Sequence, residues 1–223
     1  MLKPKKRLTK RKIKEDKFVT YYFKANDFVK QNSSRITMAG VGLLAVIVVG
    51  LVLANSRREK EKQASVEFAK ARSEYVTANY NQAIKLLNDL IVNYGSTDKA
   101  TVAKFYLANA YFNVRKYDEA EEFFEEYLDS GSDEFLKSSA LAGVAACLEQ
   151  KGEYARAADK YREAAEKYRK SSLSPQNLFD AARCYQLAGD TSAASKSLEL
   201  LLEKFPSAGI KSDAEELLAE LNP

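Results

Sequence analysis

Hydrophobic positions along this chain fall into two regimes. From Ile36 to Ser56 the run ITMAGVGLLAVIVVGLVLANS carries no charge and is apolar on every side of a helix. From about residue 64 onward, apolar residues instead recur at spacings of three and four, the signature of amphipathic helices. The first regime predicts a membrane-crossing helix, because 21 residues at 1.5 Å rise reach ~31 Å, close to the ~30 Å of a hydrocarbon core. Eleven of these residues are Leu, Ile or Val. At ~0.3 to 0.6 kcal/mol each, they favour insertion by a total on the order of 5 kcal/mol. A cleaved signal peptide, for which Val52-Leu53-Ala54 offers a small-residue site, would have a shorter leader and a shorter apolar run, so an uncleaved anchor fits better.

The second regime repeats. Ala71, Ala108, Ala145 and Ala182 stand 37 residues apart, as do Ala83, Ala120, Ala157 and Ala194. The turn positions Tyr80, Tyr117, Tyr154 and Thr191 keep the same step, and so do the bulky residues Leu87, Phe124, Tyr161 and Leu198. Each copy reads as two helices. Small residues mark their closest approach, a polar turn such as RKYDEA or KGEYARA joins them, and a large residue four after the second Ala packs between them. The stretch SDAEELLAEL, with Ser212 or Asp213 as its N-cap, predicts a final amphipathic helix over the open end.

These positions resemble the tetratricopeptide repeat. Its order of apolar, small, aromatic, Ala and aromatic residues is met by Leu107, Ala108, Tyr111, Ala120 and Phe124, and again by Val144, Ala145, Leu148, Ala157 and Tyr161. The departures are a 37-residue period where 34 is usual, no Trp, Ala in place of the usual Gly, a terminal Pro only at Pro206, and Lys70 and Glu74 at apolar places of the first copy. The extra residues fall in the loops YGSTDKA, SGSDEFL and KSSLSPQ. The expected fold is all-α: one N-terminal transmembrane helix, then a tetratricopeptide-like solenoid of about four 37-residue hairpins and a capping helix. Residues 1–35 form a basic tail, 36–56 the span, 57–63 a charged connector and 64–223 the solenoid.

In such a solenoid the first helices line a groove that takes extended peptides. One row there is Phe68, Phe105, Ala142 and Phe179; four residues on lie Arg72, Asn109, Ala146 and Arg183; Tyr75, Phe112, Glu149 and Gln186 make a third. Aromatic anchors beside Arg and Asn suit an extended, partly apolar segment carrying a carboxylate. The same Phe residues also fit a role in packing against neighbouring helices.

Charge is distributed unevenly. Residues 1–35 carry 12 Lys and Arg against 3 acids, leaving 23 against 28 in the rest. A basic tail beside an apolar run points to anionic lipid and topology control more than to nucleic acid. Near the span the count favours the other side, where Arg57, Arg58, Lys60, Lys62, Lys70 and Arg72 outnumber Lys17, Lys24, Lys30 and Arg35. The whole tail decides for a cytoplasmic N-terminus, since carrying 12 positive charges across is costly. Phe18, Tyr21, Tyr22, Ala25, Phe28 and Val29 recur at helical spacing, which fits either an amphipathic helix on the inner leaflet or an irregular linker.

The order of parts adds a second resemblance. A lysine-rich tail, one glycine-containing span, the connector RREKEKQASVEFAKA and about four repeats with YGSTDKATVAKFYLANAYF and LEQKGEYARAADKYREAA resemble the periplasmic proteins of the ancillary Sec-translocon subunit family. That resemblance implies a bacterial inner-membrane anchor, a periplasmic solenoid, and partners among translocon subunits, periplasmic chaperones or secreted clients. An envelope or cell-division coordinator acting as a homo-oligomer is the alternative.

Catalysis finds little support. The chain has no His, which removes Ser-His-Asp and Cys-His systems and His-containing metal sites. Cys147 and Cys184 belong to no CxxC pair and lie one period apart. Adjacent first helices pack ~8 to 10 Å apart while disulfides need Cα atoms within ~7 Å, so buried free thiols are expected. The run Asp118, Glu119, Glu121, Glu122, Glu125, Glu126 and Asp129 reads as one solvated helix face. DSGSDE lacks the ligand spacing of a calcium loop, and Ser96 to Lys99 matches SxxK without its companion motifs. No catalytic residue, cofactor or metal is expected.

Overall fold

Small residues at a 37-residue period let helices approach closely, and the computed structural model, which describes residues 17–222, shows the outcome. Its helices in order are α1 Lys17–Gln31, α2 Ser33–Val76, α3 Tyr80–Tyr94, α4 Asp98–Asn113, α5 Tyr117–Ser130, α6 Glu134–Gln150, α7 Tyr154–Lys167, α8 Ser174–Leu187, α9 Thr191–Lys204 and α10 Lys211–Leu221. The chain divides into two units, Met1–Ser56 and Arg57–Pro223.

In the first unit, α1 is helical, in keeping with its aromatic stripe, and Tyr21, Tyr22, Phe23, Phe28 and Val29 are exposed. Asn32 separates α1 from α2, yet its amide still donates to Phe28 and its carbonyl accepts from Ile36. The uncharged run is one continuous helix whose Leu, Ile and Val side chains are all exposed, long and apolar enough to cross a membrane. The basic positions before residue 17 lie outside the described residues.

In the second unit, residues 57–63 continue α2 without a break, so the expected connector is helical and leads directly into the first repeat helix. Hairpins then stack in chain order: α2 with α3, α4 with α5, α6 with α7, α8 with α9, and α10 against α9. All eight alanines of the two small-residue registers are fully buried, including Ala71 and Ala83 of the divergent first copy. Leu87, Phe124, Tyr161 and Leu198 are buried between the helices as their register predicts. Neighbouring first helices meet directly: α4 touches α6, the Tyr106 ring of α4 lies edge-on to Phe68 and Tyr75 of α2, and Arg183 of α8 reaches Glu149 of α6. The first helices therefore form the inner face of the stack.

Side-chain caps mark the starts of α4, α6 and α9. Thr97 accepts the Ala100 amide at 3.2 Å, Asp133 the Leu136 amide at 2.9 Å and Asp190 the Ala193 amide at 2.9 Å, each filling an orphan donor of a first turn. The last helix departs from expectation. It begins at Lys211 behind Ile210, after a turn in which the Lys211 amide donates to Ala208, so neither Ser212 nor Asp213 is the N-cap. Asp213 instead sits in the first turn, where its charge favours the helix dipole.

The four hairpin turns share one geometry. Ala78, Arg115, Gly152 and Gly189, again 37 apart, have φ of 60°, 60°, 79° and 81°. After each, the next amide reaches back five residues: Asn79 to Glu74, Lys116 to Tyr111, Glu153 to Leu148 and Asp190 to Tyr185. This is the left-handed helix ending that glycine accommodates and an L side chain enters at a cost of about 1 to 2 kcal/mol. Part of that cost returns when glycine is introduced, offset by its larger unfolded-state entropy. Ala78→Gly and Arg115→Gly are therefore each expected to stabilise the solenoid by about 0.5 to 1 kcal/mol, read as a rise in urea midpoint, whereas Gly152→Ala lowers it.

Candidate functional site

The inner face is built from α2, α4, α6 and α8, and the three rows of residues expected to line a groove occupy distinct settings on it. Phe68 is 9% exposed and packs edge-on to Tyr106 at 5.3 Å. Phe105 is half-buried, with its ring 5.9 Å from Phe124 and 5.6 Å from Tyr127. Phe179 is half-buried against the main core. All three thus take part in packing, and Phe105 and Phe179 also keep accessible surface. In the next row Arg72 is exposed, beside Ala69, Ser73, Val76 and Thr77, and makes no side-chain hydrogen bond or ion pair among the described residues. Asn109 is half-buried, its amide donating to the Phe105 carbonyl at 2.7 Å. In the third row Tyr75 is half-buried against Tyr80 and Tyr106, Phe112 against Tyr117, and Gln186 is exposed.

Glu149 of the third row and Arg183 of the second come together, a pairing that neighbouring rows of adjacent repeats permit but do not specify. The guanidinium donates to both carboxylate oxygens, at 2.7 and 2.9 Å, in the bidentate geometry that gives such pairs direction. Tyr161 Oη donates to the same carboxylate at 3.2 Å, and Arg183 lies 3.6 Å from Asp180, which accepts from Gln176 at 3.2 Å. Arg183 is thereby neutralised from within the chain, which leaves Arg72 as the unengaged cation of its row. Burial opposes ionisation of Glu149, but the hydrogen bonds and charge of Arg183 overcome it and hold the carboxyl below its ordinary value. Asp180 goes the other way, since burial raises it more than Gln176 and Arg183 lower it.

The signs of these shifts fix their effects on stability. A carboxyl held low in the fold contributes stability that is complete above its ordinary value of 4.5 and is lost as pH falls through the lower folded value. Asp180 instead disfavours the fold while ionised, and acid relieves it. Comparison of wild type with Glu149→Gln isolates the first term. The variant is expected to be less stable by roughly 1 to 2 kcal/mol near neutrality, below the ~3 to 5 of a fully buried pair because water screens the partly exposed Arg183. The gap closes on acidification below pH 4.5. Urea midpoints across that range check it; a gap independent of pH would assign the loss to packing.

Further polar contacts tie the second hairpin to the third and the third to the fourth. Lys151 of the third turn reaches Asp118 at 3.0 Å and Glu121 at 2.5 Å on α5, taking up part of the acidic face, and Tyr185 donates to Asp159. Cys147 and Cys184 are buried free thiols, each pushed up to about 12 chiefly by burial, with Glu121 adding to the first and Glu149 to the second. Lys99 of the SxxK match lies in α4, with its ammonium 5.9 Å from the Phe68 ring centre. Among the described residues no three metal-ligating side chains come together.

Comparison with known proteins agrees with this architecture. Residues 26–171 match the tetratricopeptide repeat-like domain, and residues 176–208 match a tetratricopeptide repeat. Among solved structures, a Podosopora anserina chain of nearly identical TPR-like repeats is 16% identical over 72% of this chain and 93% of its own, with a TM-score of 0.53. MamA from AMB-1 is 18% identical over 72% of this chain and 81% of its own, with a TM-score of 0.54. At these identities the likeness is one of fold. Among curated proteins none matches the chain.

Proposed function

Because the chain belongs to the tetratricopeptide repeat-like domain family, we propose that it is a non-catalytic scaffold, held in a membrane by residues 36–56, whose inner helix face recognises other proteins. The observation that carries this reading is the inner face itself. Partly exposed aromatics Tyr75, Phe105 and Phe112 stand with the exposed Arg72, while the outer helices present solvated acids. An extended partner would lay apolar side chains on the aromatics and a carboxylate on Arg72, since Arg183 is already paired.

The finer reading places the N-terminus in the cytoplasm of a bacterial cell and the solenoid in the periplasm, beside the Sec translocon. Its support is the order of tail, apolar helix and repeats, together with the 12 positive charges of the tail. The exposed aromatic stripe of α1, flanked by Lys24 and Lys30, supports that helix lying against the inner leaflet.

The experiment is in-cell photo-crosslinking from Gln186, followed by mass spectrometry of the attached proteins. Translocon subunits, periplasmic chaperones or secreted proteins are the expected partners. Recovery of wall or division machinery with self-crosslinks would favour the oligomeric coordinator, and ribosomal proteins would overturn the orientation. Arg72→Glu, at an exposed position, is expected to lower recovery by fivefold or more, about 1 kcal/mol, without loss of helicity. Unchanged recovery would remove Arg72 from the binding face.

A further inference from the structure

Where the apolar run ends, the second unit begins with a basic cluster. Arg57, Arg58 and Lys60, on the α2 segment that follows Ser56, line a recess of about 420 Å³ whose opposite wall is Ser96, Thr97 and Asp98. None of the three cations makes a hydrogen bond, ion pair or ring contact among the described residues. The acids of the recess are otherwise occupied or few. Glu61 accepts the Asp98 amide at 3.1 Å, and Thr97 caps α4 through the Ala100 amide, so the start of α4 is already satisfied. The lining keeps one net positive charge, concentrated on three long side chains that share one wall with a hydroxyl opposite.

We propose that this recess holds the phosphate of an anionic phospholipid headgroup at the end of the apolar helix. The proposal rests on the reading of residues 36–56 as a span. Bases directly after a span, on the side the tail charge assigns as outer, run against the usual preference for positive charge on the cytoplasmic side. A phosphate partner gives those bases a role that topology does not. Lys and Arg at a membrane surface each contribute on the order of 1 kcal/mol to anionic lipid binding, so three together amount to about a 100-fold preference. Guanidinium groups add bidentate geometry that a single ammonium lacks.

The full chain in nanodiscs of phosphatidylcholine, with and without phosphatidylglycerol, provides the test. Native mass spectrometry after release from mixed nanodiscs counts phosphatidylglycerol retained, and thermal unfolding is measured in both compositions. Wild type is expected to retain phosphatidylglycerol and to unfold at higher temperature in its presence. The triple variant Arg57→Gln, Arg58→Gln, Lys60→Gln should lose occupancy of this recess by phosphatidylglycerol about 100-fold and show a smaller shift, since lipid drawn to the basic tail is common to both chains, while unfolding in phosphatidylcholine as wild type does. Equal retention by both would overturn the site. So would an equal shift when inorganic phosphate is added to phosphatidylcholine nanodiscs, which would mean a free-anion site. Alkaline extraction of wild type from membranes separates the two readings: release would overturn the span and the headgroup site with it, whereas retention with no lipid preference would overturn the site alone.

Discussion

Arginine at both Val46 and Val49 is expected to release the chain from membranes. Each arginine near the centre of a spanning helix costs ~2.5 to 3.5 kcal/mol, so the pair costs ~5 to 7, and two valines' contributions are lost as well. The eleven Leu, Ile and Val residues of the run supply on the order of 5 kcal/mol, so the balance turns against insertion. The exposed surface of this helix makes the effect interpretable, because Val46 and Val49 touch no core that their replacement could disrupt. Alkaline extraction followed by sedimentation reads the result: wild type in the pellet, Val46→Arg/Val49→Arg in the supernatant with the repeats still folded. A double variant that stays in the pellet would assign membrane attachment to another segment.

The second large effect is expected at Phe124. Its ring is 2% exposed and lies between Phe105 of α4 and the backbone of α6 at Gly143, where any Cβ would come within 2.5 Å of the ring. Phe124→Ala removes the wedge between three helices and should destabilise by about 3 to 5 kcal/mol. The loss is local, because each hairpin of a solenoid touches only its neighbours. Two buried clusters divide this one, with Phe68, Leu87, Leu90 and Leu107 in the first and Phe124 within the second. Hydrogen exchange should accordingly speed up in α5 and α6, while α3 keeps most of its protection. A uniform loss along the array would show that the clusters unfold as one. Gly143→Ala probes the same contact from the other side, and overpacking there costs about 1 to 3 kcal/mol.

The repeats were legible in the sequence because close helix approach admits few residues. Alanine at two registers and a bulky residue at a third recur wherever two helices touch, and all of them are buried in the fold. The left-handed turn positions follow the same period but escaped that reading, since only Gly152 and Gly189 carry the residue that marks them; Ala78 and Arg115 take the conformation at a cost. The start of α10 was misplaced by capping chemistry. Ser212 and Asp213 are good caps, but the turn through Ala208 begins the helix before them. On the inner face, the sequence placed Glu149 and Arg183 in one groove without pairing them, because contact between residues 34 apart depends on side-chain direction as well as register.

The two cysteines lend the molecule a practical property. In the folded chain their sulfurs are out of reach and almost wholly protonated at neutral pH, so maleimide reagents should pass them by. A cysteine introduced at an exposed site such as Gln186 would then be the fast-reacting one, and labels for fluorescence or spin-resonance distances can be attached without first removing the native pair. The natural thiols become a built-in clock: the rate at which they react reports how often α6 and α8 part from their neighbours.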